Sequence, residues 1–131
     1  MPIGPVPYAP LGPVHGATSW GKPSRSLVRL VERRHQLDQA LLEVEIPTGR
    51  AHQIRIHLAA AGHPLIGDTL YRTGGLPVEP LARERAPLPG DCGYLLHAWR
   101  VRFVHPETGG WATITSPPPG PLQTRIQVDR P

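Results

Sequence analysis

Eighteen prolines and fourteen glycines in 131 residues leave little of this chain free to form regular structure. Proline removes a backbone donor and fixes φ, while glycine loses more freedom on ordering than any other residue. Together they make up roughly a quarter of the chain, close to the share of about 25–30% at which a segment can fail to fold. Residues 1–26 hold six of the prolines and are expected to form a loop, neither helix nor central strand. Residues 73–93, with Arg83-Glu84-Arg85 in their middle, are a second loop or insertion. Pro117-Pro118-Pro119-Gly120-Pro121 opens a Pro-rich tail over 117–131. The folded part is expected between them, over 27–116. Its core should be thin, since only 39% of residues are hydrophobic and 5% aromatic.

Within 27–116 the hydrophobic pattern changes period. Leu27 to Arg33 is apolar with charges spaced through it, and Ala40 to Ile46 alternates, placing Leu42, Val44 and Ile46 on one side. The polar stretch Arg34 to Gln39 between them predicts an antiparallel hairpin. Ala51 to Ala61 then reads as a helix, with Thr48 as N-cap, Gly62 just past its end and Pro64 as the stop. Ile54, Leu58 and Ala61 recur at helical spacing and form its expected apolar face, with His52, Arg55 and Ala59 turned elsewhere. Trp99, Val101 and Phe103 alternate with Arg100 and Arg102 as a half-exposed strand, and Trp111 to Thr115 returns beside it.

The net charge is +4 with a pI near 10, which suits an anionic partner. Thirteen of the fourteen basic residues are arginine and Lys22 stands alone, a skew that genomic bias also produces. The single cysteine, Cys92, excludes an internal disulfide and fits a reducing compartment. No apolar run approaches the ~18–20 residues of a membrane span, and the first residues lack the basic and apolar regions of a signal peptide. A cytoplasmic protein with no membrane partner is expected.

The segment from Thr48 to Leu58 concentrates the chemistry. Arg50, His52, Gln53, Arg55 and His57 lie within about two helical turns, near backbone N–H groups that favour anions. They could pair a carboxylate, bind phosphates, or form a solvated polar face. A metal site is not expected: His52 and His57 at i, i+5 lie about 140° apart on a helix. Asp68 is expected to bond the backbone in a turn.

Gly49-Arg50-Ala51-His52-Gln53-Ile54-Arg55-Ile56-His57, continued by Gly62-His63-Pro64-Leu65-Ile66-Gly67-Asp68-Thr69-Leu70-Tyr71, resembles the third signature block of RluA-type RNA pseudouridine synthases. Leu96-His97-Ala98, followed by Phe103-x-His105-Pro106-x-Thr108-Gly109, resembles their next block. Gly21-Lys22-Pro23-Ser24 is similar to the Gly-Lys-Pro-Ser that precedes a strand in the same proteins. The three matches stand in family order.

The resemblance implies an α+β fold, a mixed and mainly antiparallel sheet with one or more helices around a cleft. It implies isomerisation of uridine to pseudouridine in ribosomal or transfer RNA, without cofactor, on a base taken out of the stack. One aspartate does the central chemistry. The basic residue that pairs with it would be Arg55, and the aliphatic wall of the pocket Leu96. RNA contacts are implied at Lys22, Arg50, His52, Gln53 and His57. The family's Arg-Leu-Asp-x-x-Thr-Ser-Gly block, which carries the aspartate, does not occur in these residues. The chain is therefore expected to hold the C-terminal portion of a synthase domain and to be inactive by itself. A truncated coding sequence is the favoured origin. One half of a split enzyme, with a complementary N-terminal half as partner, and a non-catalytic RNA-binding remnant are the alternatives. A protein–protein module is the rival outside RNA chemistry.

Overall fold

A computed structural model describes residues 1–72, 74–80 and 85–124. Arg83 and Glu84, in the centre of the expected charged loop, lie outside the described residues, as do 125–131 of the tail. The fold is α+β. The elements are β1 (Ile3–Tyr8), β2 (Gly12–Ala17), β3 (Leu27–Arg34), β4 (Gln39–Glu45), α1 (Gln53–Ala60), β5 (Arg100–Val104) and β6 (Trp111–Thr115). Each of β1–β2, β3–β4 and β5–β6 forms a two-stranded antiparallel sheet, and no parallel pair occurs among the described residues. The chain divides into two units, Met1–Leu95 and Leu96–Pro131. That boundary falls inside the stretch 27–116 expected as one piece.

Residues 1–26 are not a loop. β1 and β2 pair from Ile3↔Ala17 to Tyr8↔Gly12, and they supply half of the core of the first unit. Ile3, Val6, Tyr8 and Val14 cluster with Ile56, Ala59, Leu70 and Tyr71, and Tyr8, Tyr71, Ile56 and Leu70 are fully buried. Each such side chain contributes about 1.5–3 kcal/mol on burial. The prolines are tolerated because of where they fall. Ile3 exchanges both its backbone hydrogen bonds outward with Lys22 (3.0 and 2.8 Å). With a period of two, the backbone groups of residues 5 and 7 face the same way, so Pro5 and Pro7 cost the β1–β2 ladder no donor. Their rings are exposed while Val6 and Tyr8 point inward.

β3 and β4 form the expected hairpin, with a bulge between Leu30 and Glu32 and Asp38 closing the turn at φ 50°. Leu42 and Val44 are half-buried and Ile46 is exposed.

α1 begins later than the sequence suggests. His52, not Thr48, is the N-cap, at φ 54°. The expected stop holds: Gly62 takes φ 86°, and the bonds Gly62 N–H to Ala59 and His63 N–H to Leu58 complete a Schellman motif. The expected apolar face is displaced. Ile54 is half-buried and Ala61 exposed, whereas Gln53, Arg55, Ile56, Leu58 and Ala59 are buried. A charged residue can join the buried face here because it has a partner thirteen positions on.

In the second unit β5 and β6 pair from Arg100↔Thr115 to Val104↔Trp111. His105 builds their turn. Its Nδ1 accepts from the N–H groups of Glu107 (3.1 Å) and Thr108 (3.4 Å), and Gly109 takes φ 68°. Arg100 lies over Trp99 and Arg102 over Trp111, each 4.6 Å from the ring centroid.

Candidate functional site

Arg55 is the centre of the first unit's polar network. Its Nε donates to Asp68 Oδ2 (2.8 Å) and its Nη2 to Asp68 Oδ1 (2.9 Å), with the two side chains 3% and 1% exposed. Nη1 donates to the Pro89 carbonyl (3.1 Å). The guanidinium lies 5.0 Å from the Tyr71 ring centroid and 4.2 Å from that of Tyr94, within cation–π range of both. Asp68 Oδ1 also accepts the N–H groups of Leu70 (3.0 Å) and Tyr71 (3.1 Å), the turn role expected for it. Burial works against the Asp68 charge, but the Arg55 hydrogen bonds and the two backbone donors outweigh it and hold the carboxyl below its usual value. Burial likewise opposes the Arg55 charge and is overcome by Asp68. Both groups are locked in their ionised forms.

The segment after Arg85 closes over this pair from two anchors, Tyr8 Oη donating to the Pro87 carbonyl (2.6 Å) and Arg55 to that of Pro89. Gly67 lets it approach: it sits at φ 81°, and a Cβ there would run into the Gly93 carbonyl oxygen.

His52 and Tyr71 extend the network. Tyr71 Oη donates its one proton to the His15 carbonyl (2.6 Å), so the contact with His52 Nδ1 (3.1 Å) requires Nδ1 to carry the hydrogen. Burial, then the positive charges of Arg55 and His15, push the His52 pKa below the ordinary histidine value, while Asp68 opposes them. Burial pushes the Tyr71 phenol up to about 12.

Gln53 was expected at an RNA surface and lies instead in the interior, 3% exposed. Its Oε1 accepts from Thr48 Oγ1 (2.8 Å) and the Arg50 N–H (3.1 Å), and its Nε2 donates to the Arg25 carbonyl (2.6 Å) and Ser26 Oγ (2.9 Å). All four positions of the amide are filled. Ser26 Oγ donates to His57 Nδ1 (2.7 Å), and His57 Nε2 donates to the Met1 carbonyl (2.8 Å). Arg50 is half-buried and donates to the Pro23 carbonyl (3.3 and 3.4 Å), and Lys22 is exposed. Leu96 opens the second unit, 43% exposed and outside any strand. No group of three His, Cys, Asp or Glu able to hold a metal occurs among the described residues, and no helix there is long and apolar enough to cross a membrane.

In the sequence Arg55 and Asp68 read as separate residues. Their pairing had one signal: both stand in the same resembling block, thirteen residues apart. Tyr94 carried no signal, because its contact depends on the path of the loop.

The family profile for RNA pseudouridylate synthase matches residues 13–60, from β2 to the end of α1. An uncharacterized RNA pseudouridine synthase of Synechocystis sp. is 45% identical over 122 residues, covering 93% of this chain and 40% of that protein. RNA pseudouridine synthase 5 of Oryza sativa subsp. japonica is 45% identical over 142 residues, covering 95% of this chain and 36% of its own length. Ribosomal large subunit pseudouridine synthase D of Neisseria meningitidis is 36% identical over 110 residues, covering 84% and 29%. The chain belongs to the RNA pseudouridine synthase family. It spans 40% or less of the length of these curated relatives. Placed on the structure, the family profile takes in Gln53, Arg55 and the β3–β4 hairpin, and it ends before Asp68.

Proposed function

We propose that this chain is the arginine-bearing part of an RNA pseudouridine synthase, which isomerises uridine to pseudouridine in RNA. The observation that carries the reading is Arg55, a permanently charged group held rigidly in a buried site within the family's own sequence block. Ribosomal RNA is the favoured substrate, because relatives include ribosomal large subunit enzymes.

In this reading Arg55 keeps a catalytic aspartate ionised, as an adjacent guanidinium does for any buried carboxylate. Asp68 fills the Nε–Nη2 edge, so the aspartate would approach at Nη1, where the Pro89 carbonyl now sits. The aspartate itself comes from a polypeptide segment with the Arg-Leu-Asp block, which these 131 residues do not contain. The chain alone therefore forms no pseudouridine.

The test is release of tritium from RNA labelled at uracil C5. The chain alone should leave the label in place, and a polypeptide that also carries the aspartate block should release it. Turnover by the chain alone would defeat the reading.

A further inference from the structure

Three basic residues of the first unit share an unusual arrangement: their backbones are pinned while their charges are left over. Lys22 exchanges two backbone hydrogen bonds with Ile3 (2.8 and 3.0 Å), and its side chain is exposed. Arg25 donates its N–H to Thr48 Oγ1 (2.9 Å) and accepts Gln53 Nε2 at its carbonyl (2.6 Å), again with an exposed side chain. Arg50 gives its N–H to Gln53 Oε1, and its Nε and Nη2 clasp the Pro23 carbonyl. Nη1 and the second hydrogen of Nη2 remain available. Among the described residues none of the three lies in an ion pair, and Glu45, opposite Leu27 on β4, pairs with none of them. The buried Gln53 amide ties the backbone of Arg25 and the Ser26 hydroxyl to the start of α1, and Ile3 holds Lys22, so each of the three side chains stands on backbone that is already fixed.

From this arrangement we infer that Lys22, Arg25 and Arg50 form a preorganised contact for the phosphate backbone of RNA, with Gln53 as the residue that positions it. Arg25 lies within the span of the family profile but outside the three motif matches, and is the new member. The inference rests on the RNA reading above and adds where the RNA strand runs. A site whose backbone is fixed before binding loses less entropy when the ligand arrives, and each phosphate neutralised releases counterions, which makes affinity fall with salt. Substituting the Arg25 side chain leaves the latch intact, because only its N–H and carbonyl take part.

The experiment is titration of the whole chain with a fluorescently labelled single-stranded RNA at several salt concentrations. Arg25→Ala and Arg25→Gln should each weaken binding several-fold and reduce the slope of log affinity against log salt by about 0.7. Gln53→Ala should weaken binding with the slope kept near wild type, since no charge is lost. Arg33→Ala, on the exposed side of β3, should change neither. Equal slopes for wild type and both Arg25 variants would overturn the phosphate contact while leaving the RNA reading intact. An Arg33→Ala effect as large as that of Arg25→Ala would reduce the inference to net charge and overturn it. Polyglutamate competing as well as RNA would assign the site to an acidic protein. No salt-dependent binding by the wild type would remove both the inference and the reading beneath it.

Discussion

Asp68 Oδ1 accepts three hydrogen bonds at once, from Arg55 Nη2 at 2.9 Å and from the N–H groups of Leu70 and Tyr71 at 3.0 and 3.1 Å. One oxygen thus fixes both the side chain of α1 and the turn that delivers Tyr71 to the core. Removing one partner of a buried ion pair leaves the other charge unpaired, at a cost of about 3–5 kcal/mol. Asp68→Ala should lose about that much in urea denaturation. A loss under ~1 kcal/mol would mean that Arg55 finds another partner or escapes to solvent.

The acid limb of stability follows from the same residue. The folded pKa of Asp68 lies below its unfolded value, so its contribution is complete above the unfolded pKa near 4 and is lost as pH falls through the folded value. His52 is also depressed, and its contribution begins to fade at higher pH, as pH drops below about 6.5. Tyr71 runs the other way. Its phenol is raised to about 12, so its contribution is complete below pH ~10 and lost as pH climbs toward that raised value. Urea midpoints across pH should show these limbs, and Tyr71→Phe should shrink the alkaline one, leaving the share of Tyr8, whose phenol burial also raises.

The hydrogen bonds of Tyr71 fix the His52 tautomer. Long-range nitrogen–proton NMR on the folded chain should find the imidazole neutral at pH 7 with its hydrogen on Nδ1. A hydrogen on Nε2 would mean that Tyr71 does not donate to the His15 carbonyl.

Gly67 combines a left-handed φ with the close approach of Gly93. Gly67→Ala should destabilise the first unit by about 1–3 kcal/mol and expose Tyr94, read as increased solvent quenching of its fluorescence. A neutral substitution would show that the segment after Arg85 does not sit where the structure has it.

Local patterns in the sequence carried much of this fold. The alternation of Leu42, Val44 and Ile46 marked β4, Gly62 and Pro64 marked the end of α1, and Trp99, Val101 and Phe103 marked β5. Each depends on neighbours within a few residues. The β1–β2 hairpin was hidden because proline content outweighed the Val6-Pro7-Tyr8 alternation, and only the direction of the ladder shows that these prolines cost nothing. The buried face of α1 was misplaced for a non-local reason. Arg55 reads as an outward residue until Asp68 is known to reach it. Gln53 read as a contact residue, and its burial depends on Arg25 and Ser26, more than twenty-five positions earlier.

The most direct measurement is reconstitution. A separately produced segment carrying the Arg-Leu-Asp-x-x-Thr-Ser-Gly block would be titrated into this chain with C5-tritiated ribosomal RNA, and label release followed. Release should be absent for either piece alone, rise with added segment and saturate at equimolar amounts. It should vanish when the aspartate of the segment is changed to asparagine. Release by this chain alone, or none at any ratio with a segment shown to bind it, would contradict the assignment of Arg55 to an RNA pseudouridine synthase site.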